Sequence, residues 1–138
     1  MARIRSIKPE FWTSEQIAEC SPITRLLFIG MWNFCDDYGV HPAKVGALKM
    51  QIFPGDDYTK LDIRGMIDEL IKHGLLVEYD IDSEAFWFIT GWDKHQRPES
   101  KTGKWPRPNG QIGERIRRTF GEHSANDQRK PEQKEKEK

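Results

Sequence analysis

The side chains of this sequence that could do chemistry are mainly cations, and they gather in two stretches. In residues 1–13, three basic residues outnumber one acidic residue, and in residues 91–118 eight basic residues outnumber three acidic ones. Such cations can displace counterions from the phosphate backbone of a nucleic acid. The intervening residues 14–90 carry six basic and thirteen acidic side chains, although the whole chain is neutral, with 22 of each sign. We therefore expect the two basic stretches to contact nucleic acid, and an alternative is that the acidic middle part binds a basic protein partner.

The basic stretch at the N-terminus contains alternating cationic and aliphatic residues. Arg3, Arg5 and Lys8 alternate with Ile4 and Ile7. The alternation predicts that the isoleucines pack on the protein while the cations project toward phosphates or a minor groove, as in homeodomain arms. The alternative is a strand that simply packs.

The second basic stretch surrounds a tryptophan. An exposed aromatic ring among cations suits phosphate contacts combined with base stacking on a single strand. The alternative is that this tryptophan folds back onto the neighbouring hairpin. The candidate residues are Lys94, His95, Arg97, Lys101, Lys104, Trp105 and Arg107.

Two predicted helices provide further candidate contacts. Lys60, Arg64 and Lys72 fall at spacings that place them on one flank of a helix, which could face a DNA groove or simply be solvated. Lys44 and Lys49 lie on the preceding helix, where no acidic residue occurs between positions 41 and 54.

Catalytic and metal-binding patterns are not recognisable. Cys20, Cys35 and His41 lack the paired spacing of zinc ligands, so the cysteines are predicted to be core residues. The pairs Asp36-Asp37 and Asp56-Asp57 fall at predicted helix boundaries, where aspartate has a structural role. No phosphate-binding loop or catalytic triad signature appears. We expect no metal, no cofactor and no enzymatic activity.

The elements that would position these residues follow from periodicity and capping. Ser21-Pro22 predicts a helix that ends near Asp36–Gly39, and a brief extended link at Val40-His41 is predicted to follow it. Pro42 is predicted to open a second helix that ends at Pro54-Gly55. Asp56 or Asp57 is predicted to cap a third helix that runs to His73-Gly74. Residues 75–81 and 85–89 then predict a two-stranded hairpin. Four tryptophans in apolar patterns are predicted to be core residues: Trp12, Trp32, Trp87 and Trp92.

This order of elements is the plan of a winged helix-turn-helix, so the predicted fold is α+β, mostly α, with three main helices and a two-stranded wing. The predicted divisions are a basic arm (1–13), a winged-helix domain (14–92), a basic extension rich in Pro and Gly (93–123) and a disordered charged tail (124–138). No apolar run is long enough for a membrane span and no signal peptide is recognised, so we expect a cytoplasmic protein.

Three segments also resemble a known family. RIRSIKPEFW at residues 3–12, LLFIGMWNFCDD at 26–37 and GWDKHQ at 91–96 resemble the N-terminal winged-helix domains of bacteriophage and prophage replication proteins, which are similar to DnaD-type replisome organisers. The resemblance covers residues 1–97. It implies binding to duplex DNA at a phage replication origin and recruitment of a host helicase or helicase loader in the bacterial cell. Single-stranded DNA is a further candidate partner. Such proteins often continue into a second helical domain, whereas a polar tail follows here.

The predicted function is therefore DNA binding in phage replication initiation. A phage transcription regulator, acting as a homodimer on a palindrome, and a protein-interaction or DNA-mimic module are the alternatives.

Overall fold

A computed structural model describes residues 2–98, 100–113 and 115–116 of the chain. Within these residues the protein is α+β and mostly helical, with six helices, a three-stranded antiparallel sheet and a separate two-stranded ribbon. The helices are α1 (Glu10–Thr13), α2 (Glu15–Ala18), α3 (Pro22–Phe34), α4 (Val45–Ile52), α5 (Lys60–Lys72) and α6 (Trp92–His95). The strands are β1 (Val40–Pro42), β2 (Leu76–Ile81), β3 (Glu84–Ile89), β4 (Gln111–Ile112) and β5 (Arg115–Ile116).

The long helices begin at side-chain caps. The Ser21 hydroxyl accepts from the backbone N–H of Thr24 at the start of α3, as the Ser-Pro pair predicts. At the start of α5 the cap is Thr59, which forms a reciprocal capping box with Asp62. The prediction of Asp56 or Asp57 as the cap was therefore wrong.

The sheet has the order β1-β3-β2, so the predicted two-stranded hairpin gains a third strand. The turn between β2 and β3 is formed by Asp82 and Ser83, both with positive φ, which matches the twist of a tight hairpin. Pro42 pairs with Phe86 in the sheet. Pro42 therefore does not open α4, whose N-cap is Lys44.

The core lies between α3, α4, α5 and the inner face of the sheet. Trp32, Trp87 and Trp92 are buried there, as predicted, and both cysteines are buried and unpaired. The prediction for Trp12 was wrong, because its side chain is 63% exposed. On the short helix α1 the neighbouring Phe11 packs against the core instead.

The packed structure continues beyond α6. The phenolic oxygen of Tyr79, on the sheet face opposite the core, donates to the carbonyl of Pro106, and Pro106 is buried. The predicted boundary at residue 92 therefore falls inside the packed body. The predicted charged tail, residues 124–138, lies outside the described residues.

Candidate nucleic-acid interface

Two buried carboxylates organise the region where both basic stretches meet. Asp36 and Asp37 follow the end of α3 and are 2% and 0% exposed. Asp36 accepts from the backbone N–H groups of Tyr38 and Val40, at 2.9 and 3.1 Å, which shapes the turn into β1. Gly39 completes this turn with φ of +84°, and the ring of Trp92 leaves no space there for a Cβ atom. We call Asp36 and Asp37 the aspartate clasp.

The N-terminal arm is held by the clasp. The guanidinium of Arg5 donates to Asp37 at 2.9 Å and to the carbonyls of Trp32, Cys35 and Asp36, and the Arg5 side chain is only 4% exposed. Arg3 also binds Asp37, at 2.5 Å.

The prediction that the arginines project while the isoleucines pack was therefore wrong. Ile4 is 97% exposed and Ile7 is 44% exposed. The arginines face inward because a buried carboxylate requires a counter-ion, and that requirement exceeds the gain from burying one isoleucine. Arg5 is thus a structural residue, and its donors are not directed toward a ligand.

The basic extension is held by the same clasp from the other side. The backbone N–H of Thr102 donates to Asp37 at 2.8 Å, and those of Lys104 and Trp105 donate to Asp36 at 2.9 and 3.1 Å. These contacts use main-chain donors. The lysine side chains of this segment are therefore left outside the clasp.

Four of the predicted cations come together around the clasp, and we call Arg3, Lys101, Lys104 and Arg107 the basic patch. Lys101 Nζ lies 5.2 Å and Arg107 Cζ 4.2 Å from the centre of the Tyr38 ring, and Lys104 Nζ lies 5.0 Å from that of Trp105. Lys101 also contacts Asp93 at 3.1 Å. Arg107 donates to the carbonyl of Gly113, so the two lysines are the most available members of the patch.

The Trp105 side chain is half-buried against the protein. It is therefore neither the fully exposed stacking ring of the first interpretation nor a ring folded entirely onto the hairpin. Its ring lies 6.0 Å from that of His41, which is stacked on Trp87. His41 also contacts the Gln51 side chain of α4 at 2.9 Å, so the extension runs beside α4. Burial lowers the pKa of His41, and its hydrogen bonds to Pro42 and Gln51 only partly oppose this, so the imidazole is neutral at pH 7.

The predicted cationic stripe on α5 is largely neutralised. Arg64 contacts Asp68 at 2.9 Å and Glu78 of β2 at 2.6 Å. Hydrogen bonding to Glu78 raises the pKa of Arg64, which is the expected effect of a stable ion pair. Lys60 lies across Gly46 of α4, and Lys72 is exposed at the other end of the helix. The three cations of α5 therefore do not form a continuous groove-facing stripe.

Helix α4 keeps its predicted basic character. Lys44 is exposed, and Lys49 is half-buried. Because Lys60 reaches over Gly46, a third cation lies beside this helix.

The remaining predicted contacts lie away from the clasp. The ammonium of Lys8 donates to the carbonyl of Lys94 at 2.7 Å, so this end of the arm is tied to α6. His95 and Arg97 are exposed nearby. Lys8, Lys94 and His95 line a pocket in which no residue of the basic patch takes part.

The sequence did not reveal which residues accept the hydrogen bonds of the two basic stretches. Asp36 and Asp37 were assigned a local role at a helix end, whereas they bind groups more than 30 and 60 residues away. Every carboxylate oxygen of the clasp accepts from at least one nitrogen donor. Among the described residues, no group of three His, Cys, Asp or Glu side chains could hold a metal ion.

No protein-family model, curated protein or solved structure matches this chain. In the part of the chain that the structure describes, none of the helices is both long and apolar enough to cross a membrane.

Proposed function

We propose that this chain is a non-enzymatic, winged-helix DNA-binding protein of phage replication initiation that contacts DNA through its basic patch. The observation that carries the proposal is the clustering of Arg3, Lys101, Lys104 and Arg107 around the aspartate clasp, where the last three lie over the rings of Tyr38 and Trp105. Helix α3, strand β1, helices α4 and α5, and the β2–β3 hairpin follow one another in the order of a winged helix, which supports the fold assignment. The replication role rests on the resemblance of residues 3–12, 26–37 and 91–96 to phage replication proteins.

The charge distribution favours phosphate contacts over base readout by α5. Among the described residues, the arm and extension bring five basic side chains to the clasp region, where three carboxylates also lie: Arg3, Arg5, Lys101, Lys104 and Arg107 with Asp36, Asp37 and Asp93. These eight side chains carry a net charge of +2. On α5, by contrast, Arg64 has two acidic partners and little capacity left for a base edge. Backbone contacts of this kind position a protein on DNA without reading its sequence.

The test compares two charge-neutralising pairs. Lys101→Gln with Lys104→Gln removes the two available cations of the patch, and Lys60→Gln with Lys72→Gln removes the same charge from α5. Each phosphate contact contributes about 0.9 to the slope of log affinity against log salt on duplex DNA, so the patch variant should lose about 2 in slope. The control should lose much less.

The measurement is a mobility shift over a salt series, with random-sequence duplex, duplex from the protein's own locus, and single-stranded DNA. Equal losses in both variants, or no loss in either, would refute the assignment of DNA binding to the patch. Tighter binding to single strands that is lost in Trp105→Ala would identify Trp105 as a stacking platform. Recruitment of a helicase or helicase loader, and dimerisation, stay predictions.

The acidic surface of α5 and the hairpin favours a second candidate, a module that binds a basic protein. Asp68, Glu78 and Asp80 are exposed there. In that case the wild-type protein would not retain DNA even at low salt, and it would bind a basic partner whose affinity falls when Asp80 is changed to Asn.

A further inference from the structure

A pocket of about 250 Å³ opens between the N-terminal segment with α1 and α2 on one side and α6 on the other. Its apolar walls include Phe11, Ile17, Phe28, Trp32 and Trp92. These side chains belong to the core or pack against it, so the pocket is an opening into the core itself.

The rim of this pocket is basic. Lys8 and Lys94 both line it, and the bond from the Lys8 ammonium to the Lys94 carbonyl holds the two residues side by side. Lys8 has two further N–H donors, and Lys94 has no acidic partner among the described residues. Glu10 is the one carboxylate among the lining residues. The rim therefore favours a ligand that carries negative charge.

Exposed apolar side chains flank the pocket. Trp12 packs edge-on against Phe11, with ring centres 4.9 Å apart, and it is 63% exposed. Ile7 lies between the lining residues Ser6 and Lys8 and is 44% exposed. Exposed aromatic and aliphatic residues beside a pocket are typical of protein-binding surfaces, where one anchor side chain fills the pocket. The volume is below the range of most small-molecule sites and suits one such side chain with its flanking backbone.

We propose that this pocket binds an acidic segment of a partner protein, with one large apolar side chain inserted against Phe11 and Trp92 and with carboxylates on Lys8 and Lys94. The residues that flank the apolar side chain cover Ile7 and Trp12. This site is separate from the basic patch. A negative result here therefore leaves the DNA-binding proposal untouched.

The test is selection of a displayed library of short random peptides on the full chain and on three variants. Ser6→Trp fills the mouth of the pocket, because Ser6 lines it and its hydroxyl makes no hydrogen bond among the described residues. Lys8→Glu with Lys94→Glu reverses the charge of the rim. Ala47→Trp is the matched control, since it adds the same side chain at an exposed position of α4 that does not line the pocket.

The wild type and Ala47→Trp should enrich peptides that have a large apolar residue flanked by Asp or Glu, by about tenfold or more over the starting library. Ser6→Trp should lose this enrichment while retaining DNA in the mobility shift. The charge-reversed variant should select Lys- or Arg-flanked anchors instead. No acidic-anchor enrichment on the wild type, or equal enrichment on Ser6→Trp, would overturn the proposal. Circular dichroism and thermal melting establish whether each variant is folded. If one variant is not folded, the proposal is still tested by whether the wild type enriches acidic peptides with an apolar anchor.

Discussion

Replacing Asp37 by Asn tests whether the aspartate clasp stabilises the fold. The substitution keeps the shape of the side chain but removes the charge that faces Arg3 and Arg5. Because the Arg5 side chain is 4% exposed, its charge would remain buried without a counter-ion. Breaking a buried ion pair from one side costs about 3–5 kcal/mol. This is a large part of the roughly 5–15 kcal/mol that stabilises a domain of this size, and at about 4 °C per kcal/mol Tm should fall by roughly 10–20 °C.

The assay is urea denaturation and thermal melting, followed by tryptophan fluorescence. Trp92 is a suitable reporter because its indole N–H donates to the Asp37 carbonyl at 2.9 Å. The matched control is Asp68→Asn, which removes an exposed i,i+4 ion pair with Arg64 and should cost only about 0.3–0.5 kcal/mol. Adding Arg5→Met to Asp37→Asn removes the orphaned charge and should restore part of the lost stability. An effect of Asp37→Asn no larger than that of Asp68→Asn, with no recovery in the double variant, would refute the reasoning.

Two further predictions concern titratable groups in the body of the fold. Burial acts to raise the pKa of Glu69, but hydrogen bonds from Thr24 at 2.6 Å and from the Ser21 N–H at 2.7 Å outweigh it, so the pKa lies below its ordinary value. A carboxylate whose pKa is lowered by folding stabilises the protein above its unfolded pKa, and this stabilisation is lost as pH falls through the folded pKa. Glu69→Gln should therefore lower the free energy of unfolding by about 2 kcal/mol at pH 7. It should also flatten the pH dependence of the urea midpoint below pH 4.5. Burial raises the pKa of both Cys20 and Cys35, so a disulfide reagent should titrate no thiol in the native protein and two after unfolding, and a fast native reaction would contradict their placement in the core.

The long elements could be predicted from sequence because their signals are local. The Ser21-Pro22 start of α3 and the apolar spacing of Ile63, Met66, Ile67 and Leu70 on α5 are confirmed, and all four apolar residues are buried. Val40 and His41 were predicted to be extended, but their membership of the sheet could not be recognised from the three residues of β1. Its pairing with β3 joins residues more than 40 positions apart, and this pairing places Pro42 in the sheet and moves the start of α4 to Val45.

The candidate site was predictable in composition but not in orientation. The alternation of cationic and aliphatic residues predicts that the arm has two faces. It does not determine which of the two faces packs against the rest of the protein. The direction is set by Asp37, whose need for a counter-ion depends on burial that only the folded chain creates. The neutralisation of Arg64 likewise depends on Glu78, which comes from the hairpin and has no helical spacing to Arg64.

The clasp also defines the smallest piece of this protein that should fold autonomously. A fragment cut after Trp92 would lose the donors that Thr102, Lys104 and Trp105 provide, leaving two adjacent anionic side chains short of partners inside an apolar interior. Trimming the first few residues would remove the two guanidinium groups from the same point. The N-terminal arm and residues 102–105 thus depend on the same two carboxylates, and proteolytic cleavage in either segment should weaken the binding of the other.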